Sequence, residues 1–171
     1  MEVKPATIED IELLQDLFSQ AISWQKQRGL PTFSIFTDSF FEQEISNGNV
    51  FLAWNQERLV GTISLYEEDK ILWGNDQESA LYIHRLASAR DVTGRGVGAA
   101  LIVWSRRQAE DRKKRWLRVD CWAENRELCE FYERQGFEKV RDKNTGANPA
   151  WPKHYQNIEL RLFQMELIKM F

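Results

Sequence analysis

The chain has 171 residues, 43% hydrophobic and 29% charged, which is the length of one domain with a core large enough to need neither disulfides nor a structural metal. Twenty-three Lys plus Arg against 26 Asp plus Glu leave a net charge of −3, so the overall basic charge of a nucleic-acid binder is missing. The balance also excludes disordered, collagen-like and low-complexity classes. A single domain over 1–171 is expected.

Val3 to Lys4 reads as a short strand. Thr7 follows as a helix N-cap, with Asp10 three residues on in an acidic capping-box arrangement. Ile11, Leu14, Leu17, Phe18 and Ile22 then recur at helical spacing, and Gly29 and Pro31 stop the helix. Ser39 to Ile45 forms a second, shorter helix. Val50 to Trp54 and Leu59 to Tyr66 read as strands of a hairpin, and Ala80 to Ala87 as a further strand. Beyond Gly94-Arg95-Gly96-Val97-Gly98 a helix places Val97, Leu101 and Trp104 on one face. Trp116 to Trp122 is a strand, Arg126 to Gln135 a helix closed by Gly136, and Phe137 to Val140 a strand. A polar loop from Arg141 to Tyr155 leads to a last strand, Ile158 to Leu167. A strand meander followed by alternating strands and helices predicts a mixed α/β sheet with helices on both faces.

Cys121 and Cys129 are too few for a secreted disulfide framework, and His84 and His154 too few to expect a metal site. The N-terminus has no apolar signal core, and Val97 to Trp104, the longest apolar run, is far too short to cross a bilayer. A cytoplasmic protein without membrane or nucleic-acid partners is expected.

Glycines at 94, 96 and 98, between a strand and a helix, free the backbone for positive φ and for close approach to a ligand. The amides of Arg95, Gly96, Val97, Gly98 and Ala99 then lie at the positive end of a helix, a cradle for pyrophosphate. The same glycines would also serve a tight connection with no ligand. A P-loop is excluded, because no GxxxxGK[ST] run occurs. The dinucleotide fingerprint matches at Gly94, Gly96 and Ala99, with Asp120 ending the next strand. Against an NAD-binding enzyme, the polar segment Ser88 to Thr93 separates strand from glycines, and no second run of βα units completes a doubly wound sheet.

Thr93-Gly94-Arg95-Gly96-Val97-Gly98, Asp120-Cys-Trp-Ala-Glu-Asn125 and Phe131-Tyr132-Glu-Arg-Gln-Gly-Phe137 occur in this order behind the strand Tyr82 to Ser88. The set resembles the GNAT superfamily of acyl-CoA N-acyltransferases. That family's cofactor motif opens on Gln or Arg, and here Thr93 stands in its place; both later glycines match. The resemblance implies a mixed, mostly antiparallel central sheet splayed open at the cofactor site. It implies transfer of an acetyl group from acetyl-CoA to a primary amine of a small molecule or protein, by direct attack in a ternary complex and without a metal. The main chain of Leu86 and Ser88 would pair with pantetheine amides, and an N–H near Leu86 would stabilise the oxyanion. Asn125 would contact pantetheine, and Tyr132 would protonate the departing thiolate.

Asn125 and Tyr132 are seven residues apart, about 700° around a helix, so they share a face. They can equally be an N-cap and a core residue beside Leu128 and Phe131. For the base that deprotonates the amine, Glu124, Asp120, His84 and a water chain stay open. Two or three of Trp24, Phe33, Phe36, Trp73, Trp122 and Trp151 are expected to line the acceptor site. The basic cluster Arg112 to Arg115 reads as a solvated helix end. A homodimer is compatible with the family. The competing readings are a catalytically idle acyl-CoA sensor and the NAD-binding enzyme.

Overall fold

In the computed structural model, which describes residues 1–76, 78–149 and 153–167, the strands are β1 (Glu2–Pro5), β2 (Val50–Asn55), β3 (Arg58–Tyr66), β4 (Ala80–Ser88), β5 (Trp116–Trp122), β6 (Glu138–Asn144) and β7 (Glu159–Glu166). They follow the order β1-β2-β3-β4-β5-β7-β6 in one seven-stranded sheet. The β1–β2, β2–β3, β5–β7 and β6–β7 pairs are antiparallel, and β4 and β5 run parallel. The helices are α1 (Ile11–Gln27), α2 (Asp38–Ser46), α3 (Lys70–Trp73), α4 (Val97–Asp111) and α5 (Arg126–Arg134). This is the mixed, mostly antiparallel open sheet that the sequence predicts. The chain divides into two compact units, Met1–Leu65 with Arg85–Trp104, and Tyr66–His84 with Ser105–Phe171.

The first unit is built on phenylalanine. The Asp10 carboxylate accepts from the Thr7 N–H at 2.7 Å and from its hydroxyl at 2.9 Å. This fixes the short 3-10 turn Ile8–Asp10 that leads into α1. Thr37 caps α2 by accepting from the Phe40 N–H at 3.2 Å. The buried faces bring Leu14, Phe18, Phe36, Phe41, Val50 and Leu52 together. The rings of Phe18, Phe36, Phe40 and Phe41 lie 4.9 to 5.8 Å apart, the range in which aromatic pairs add to the area they bury.

The second unit has a mixed aliphatic and aromatic core of Leu72, Trp73, Tyr82, Trp122, Leu160 and Leu162. Arg118 is buried within it. Its guanidinium donates to Asp76 at 2.7 Å and to the Tyr82 hydroxyl at 3.1 Å, and lies 4.3 Å over the Trp73 ring, the pairing that a buried cation requires. β6 continues to Asn144 where the sequence suggests a loop after Val140. Its polar residues hold the strand through the β7 ladder, as in Asp142↔Arg161 and Lys143↔Leu160. The pattern-based reading stops too early because an exposed edge strand needs no apolar face.

β4 pairs with β5 from Ala80↔Trp116 to Ile83↔Val119. β5 itself runs on, paired with β7, as far as Trp122↔Leu160. His84 and Asp120 are therefore the residues that follow the last β4–β5 pair on each strand.

Candidate active site

In the first unit the site is made of backbone. Arg85 sits inside β4 with φ +50°, a conformation that costs a non-glycine residue about 1–3 kcal/mol and persists only when its surroundings hold it. Here the Glu44 carboxylate accepts from its Nη2 at 2.8 Å, and the Phe40 ring lies 5.1 Å from the guanidinium carbon. The next residues, Leu86 to Ser88, are half-buried. A 3-10 turn, Arg90–Val92, leads into the glycine segment.

Gly94 and Gly96 have φ +79° and +80°, and a Cβ built on either meets nothing within 4 Å. Both use the freedom that only glycine has, and both border open space. Gly98 does not share that role, since it lies within the first turn of α4. The Arg95 amide donates to the Val92 carbonyl at 3.1 Å, and the Ala100 amide to the Gly96 carbonyl at 2.9 Å. Arg95 is thus engaged inside the turn. The N–H groups of Val97, Gly98 and Ala99 belong to the first helical turn, where no preceding helical carbonyl can reach them. Their direction suits an anion.

Gly61 on β3 is a residue whose importance the sequence does not signal. Its Cβ would come within 3.0 Å of the Ala87 carbonyl and of Val97 Cγ1. Only glycine lets this strand approach both β4 and the start of α4. A glycine inside an apolar strand is the available clue.

The second unit has candidate functional groups of its own, made of side chains. The Asn125 Oδ1 accepts from the Leu128 N–H at 3.1 Å and caps α5. Its amide group is not needed for that cap. Tyr132 is buried against Phe131, Phe137 and Phe163, with ring centroids 5.3 to 6.0 Å away. Burial holds its phenol well above the usual value near 10, and the charge of Asp120 pushes in the same direction. The hydroxyl therefore keeps its proton at neutral pH. Cys121 and Cys129 are buried thiols with sulfurs 3.5 Å apart.

Three further side chains converge beside the end of the β4–β5 ladder. Nε2 of His84 is 3.0 Å from Oδ2 of Asp69. A ring nitrogen of His84 and one carboxylate oxygen from each of Asp69 and Asp120 lie within 4.8 Å of one another. The Tyr66 ring meets the imidazole edge-on at 5.0 Å. Of the residues considered as a base, His84 and Asp120 are brought together, while Glu124 is exposed. The sequence reading missed Asp69. Its signal is an aspartate three residues before Leu72, whose N–H it accepts at 3.1 Å as the N-cap of α3.

The aromatic residues proposed for the acceptor separate. Phe33 and Phe36 belong to the phenylalanine cluster of the first unit, beside a groove of about 560 Å³ lined by Gln15, Ile22, Lys26 and Ile35. Trp24 lies under two guanidiniums, Arg90 at 4.0 Å and Arg28 at 4.9 Å. Trp73 and Trp122 are core residues of the second unit, and Trp151 lies outside the described residues. Arg112 and Lys114 pair with Glu67, and Arg115 with Glu78 and Glu166. The basic cluster is therefore an ion-paired surface. No helix among the described residues is long and apolar enough to cross a membrane.

The family model for the acetyltransferase (GNAT) family matches residues 12–137. YesJ of Bacillus subtilis (strain 168), described as an uncharacterized N-acetyltransferase, is 32% identical over 143 residues, covering 78% of this chain and 79% of its own. Among solved structures, a GNAT-family acetyltransferase of Listeria monocytogenes 4b F2365 superposes with a TM-score of 0.78 at 24% identity, over 97% of this chain and 94% of that one. Arabidopsis thaliana NAA60, solved in complex with acetyl-CoA, gives 0.71 at 18% identity, over 97% and 98%. The glycine turn at the head of α4 and the tyrosine of α5 thus stand in a chain that belongs to the GNAT acetyltransferase family.

Proposed function

We propose that this protein transfers an acetyl group from acetyl-CoA to a primary amine of a small molecule or protein, by direct attack in a ternary complex. The observation that carries the reading is the turn at Gly94 and Gly96, with two positive-φ glycines facing open space ahead of a helix of 15 residues. A Cβ at either position would fill the space in which a pyrophosphate meets the amides of Gly96 to Ala99. The solved relative holding acetyl-CoA supports the choice of cosubstrate.

When bound, acetyl-CoA supplies a thioester, whose carbonyl is open to attack and whose thiolate can leave. The main chain at Leu86 and Ser88 offers amide and carbonyl groups to pantetheine, as an added strand would, and an N–H near Leu86 stabilises the oxyanion. The Asn125 amide group contacts pantetheine. Tyr132, kept protonated by burial, donates its proton to the thiolate. No step calls on a metal, and the whole chain from 1 to 171 acts as one functional domain.

The test is a melting comparison. At a hundredfold excess over its Kd, acetyl-CoA stabilises the protein by about 2.7 kcal/mol, while NAD leaves the midpoint unchanged. A midpoint raised by NAD and indifferent to acetyl-CoA would make this a nucleotide-linked enzyme. Stabilisation by acetyl-CoA with no thiol release for any amine would leave an acyl-CoA sensor.

A further inference from the structure

We propose that His84 is the general base of the transfer, with Asp69 and Asp120 as the positioning residues that hold and stabilise its protonated ring. The inference rests on the acetyl-transfer reading above. A primary ammonium with a pKa near 10 is only about one part in a thousand neutral at pH 7, so a nucleophilic amine needs a proton acceptor. The structure supplies one at the place where β4 and β5 cease to pair, with two carboxylates around it.

Its geometry defines the roles. The Asp69 Oδ2 atom, 3.0 Å from Nε2, favours the proton on that nitrogen and leaves the lone pair of the neutral ring on Nδ1. The Asp69 side chain is only 8% exposed and its Oδ1 is engaged in capping α3. The carboxylate is therefore fixed by the fold before any substrate arrives. Its Oδ2 is buried and faces Nε2 of His84 at 3.0 Å, so the carboxylate charge favours the imidazolium over the neutral ring. Asp120 adds a second negative charge. That charge also acts on the Tyr132 phenol, so one carboxylate is felt at both the base and the acid. Two carboxylates also favour a cationic amine as the acceptor.

In the step, the ammonium first gives a proton to Nδ1 of His84, which returns it to solvent. The neutral amine nitrogen then forms a C–N bond to the acetyl carbonyl carbon, the C–S bond breaks, and the sulfur takes the Tyr132 proton. The acylated nitrogen gives up its second proton to the neutral imidazole and so to solvent, from which the phenolate recovers one. Among the described groups facing the imidazole are Asp69 at the head of α3, Asp120 on β5 and the Tyr66 ring at the end of β3.

The experiment follows thiol release against pH with an alanine-initiated peptide, a lysine-containing peptide and a linear alkyl diamine as amines. In the wild type, kcat/KM rises through the imidazole range before the amine's own titration. His84→Gln lowers kcat by about 10²–10⁴-fold and removes that limb, while acetyl-CoA still raises the melting midpoint. Free imidazole partly restores His84→Ala, which a purely structural histidine would not allow. Asp69→Asn keeps the cap, since asparagine caps as well as aspartate. It lowers kcat less and moves the limb to lower pH, because a charge that favours the imidazolium is gone. A His84→Gln protein with wild-type rate and pH profile overturns the inference while leaving acetyl transfer intact. Turnover lost on chelation and restored by zinc also overturns it. A wild type that binds acetyl-CoA and acetylates none of the amines overturns the transfer reading and the base with it.

Discussion

The two units carry candidate functional groups of different kinds. In the first they are backbone: a positive-φ arginine inside β4, two positive-φ glycines and the opening amides of α4. In the second they are side chains: Tyr132, Asn125 and the group Asp69, His84 and Asp120. A cradle of amides recognises charge and shape and needs little from side chains beyond their absence. Proton transfer needs particular titrating groups at particular separations. Substitutions in the first unit should therefore act on cofactor affinity, and those in the second on rate.

The largest expected effect tests the first half of that contrast. Gly96→Val opposes φ +80° and fills the open side of the turn, so acetyl-CoA affinity should fall at least about 100-fold, beyond about 2.7 kcal/mol. Calorimetric titration of the folded variant measures it. Gly98→Val sharpens the result, because Gly98 is helical and a loss there reports blocked approach alone. Affinity retained in both variants would reduce the turn to a connector.

Tyr132→Phe tests the second half. The ring and its packing against Phe137 and Phe163 stay, and the proton goes. Single-turnover rates should fall by about 10²-fold, the low end for acid catalysis because a thiolate leaves readily. The Kd for acetyl-CoA should barely move, since the lost interaction matures in the transition state. Unchanged single-turnover rates would return Tyr132 to the core and end the division of labour.

The smallest effect distinguishes the units by acid stability. In the second unit Asp142 accepts from Arg161 at 2.8 and 3.0 Å and from Lys139 at 2.8 Å. These partners pull its carboxyl down to about 2. The folded value is below the unfolded value of about 3.9. The stabilisation is therefore complete above that unfolded value and is lost as pH falls through about 2. For a pair this close to solvent the contribution is about 1 kcal/mol. Asp142→Asn should cost that much at pH 6 and almost nothing near pH 2, measured by urea unfolding. A difference constant across this range would show that packing, and no ion pair, is what the substitution removes.

Legibility in the sequence followed the physical range of each signal. The glycine turn was readable because glycine is a local requirement of positive φ, and the helix after it because its apolar residues repeat at helical spacing. The same pattern predicts positive φ at Gly98, which is helical, since composition alone does not tell a helical glycine from a turn glycine. It also ends β6 at Val140, short of Asn144, because the edge strand has little apolar patterning to show. Of three residues weighed equally as the base, the fold joined His84 with Asp120 and left Glu124 exposed. No spacing rule could rank them, because their separation depends on the register of two strands that are distant in sequence.

The sequence by itself determined the elements whose signals are local. These include the capped helices, the hairpin from β2 to β3, the cradle at Gly94 and Gly96, and the family motifs that end at Phe137. The tertiary structure alone decided that Asp69, a helix cap far from β5 in sequence, stands 3.0 Å from His84. It also decided that Arg85 takes a left-handed conformation within a strand, held by Glu44 from another helix. Contacts of that kind arise where separate strands and helices pack, and their energy depends on distances that the linear order of residues does not contain.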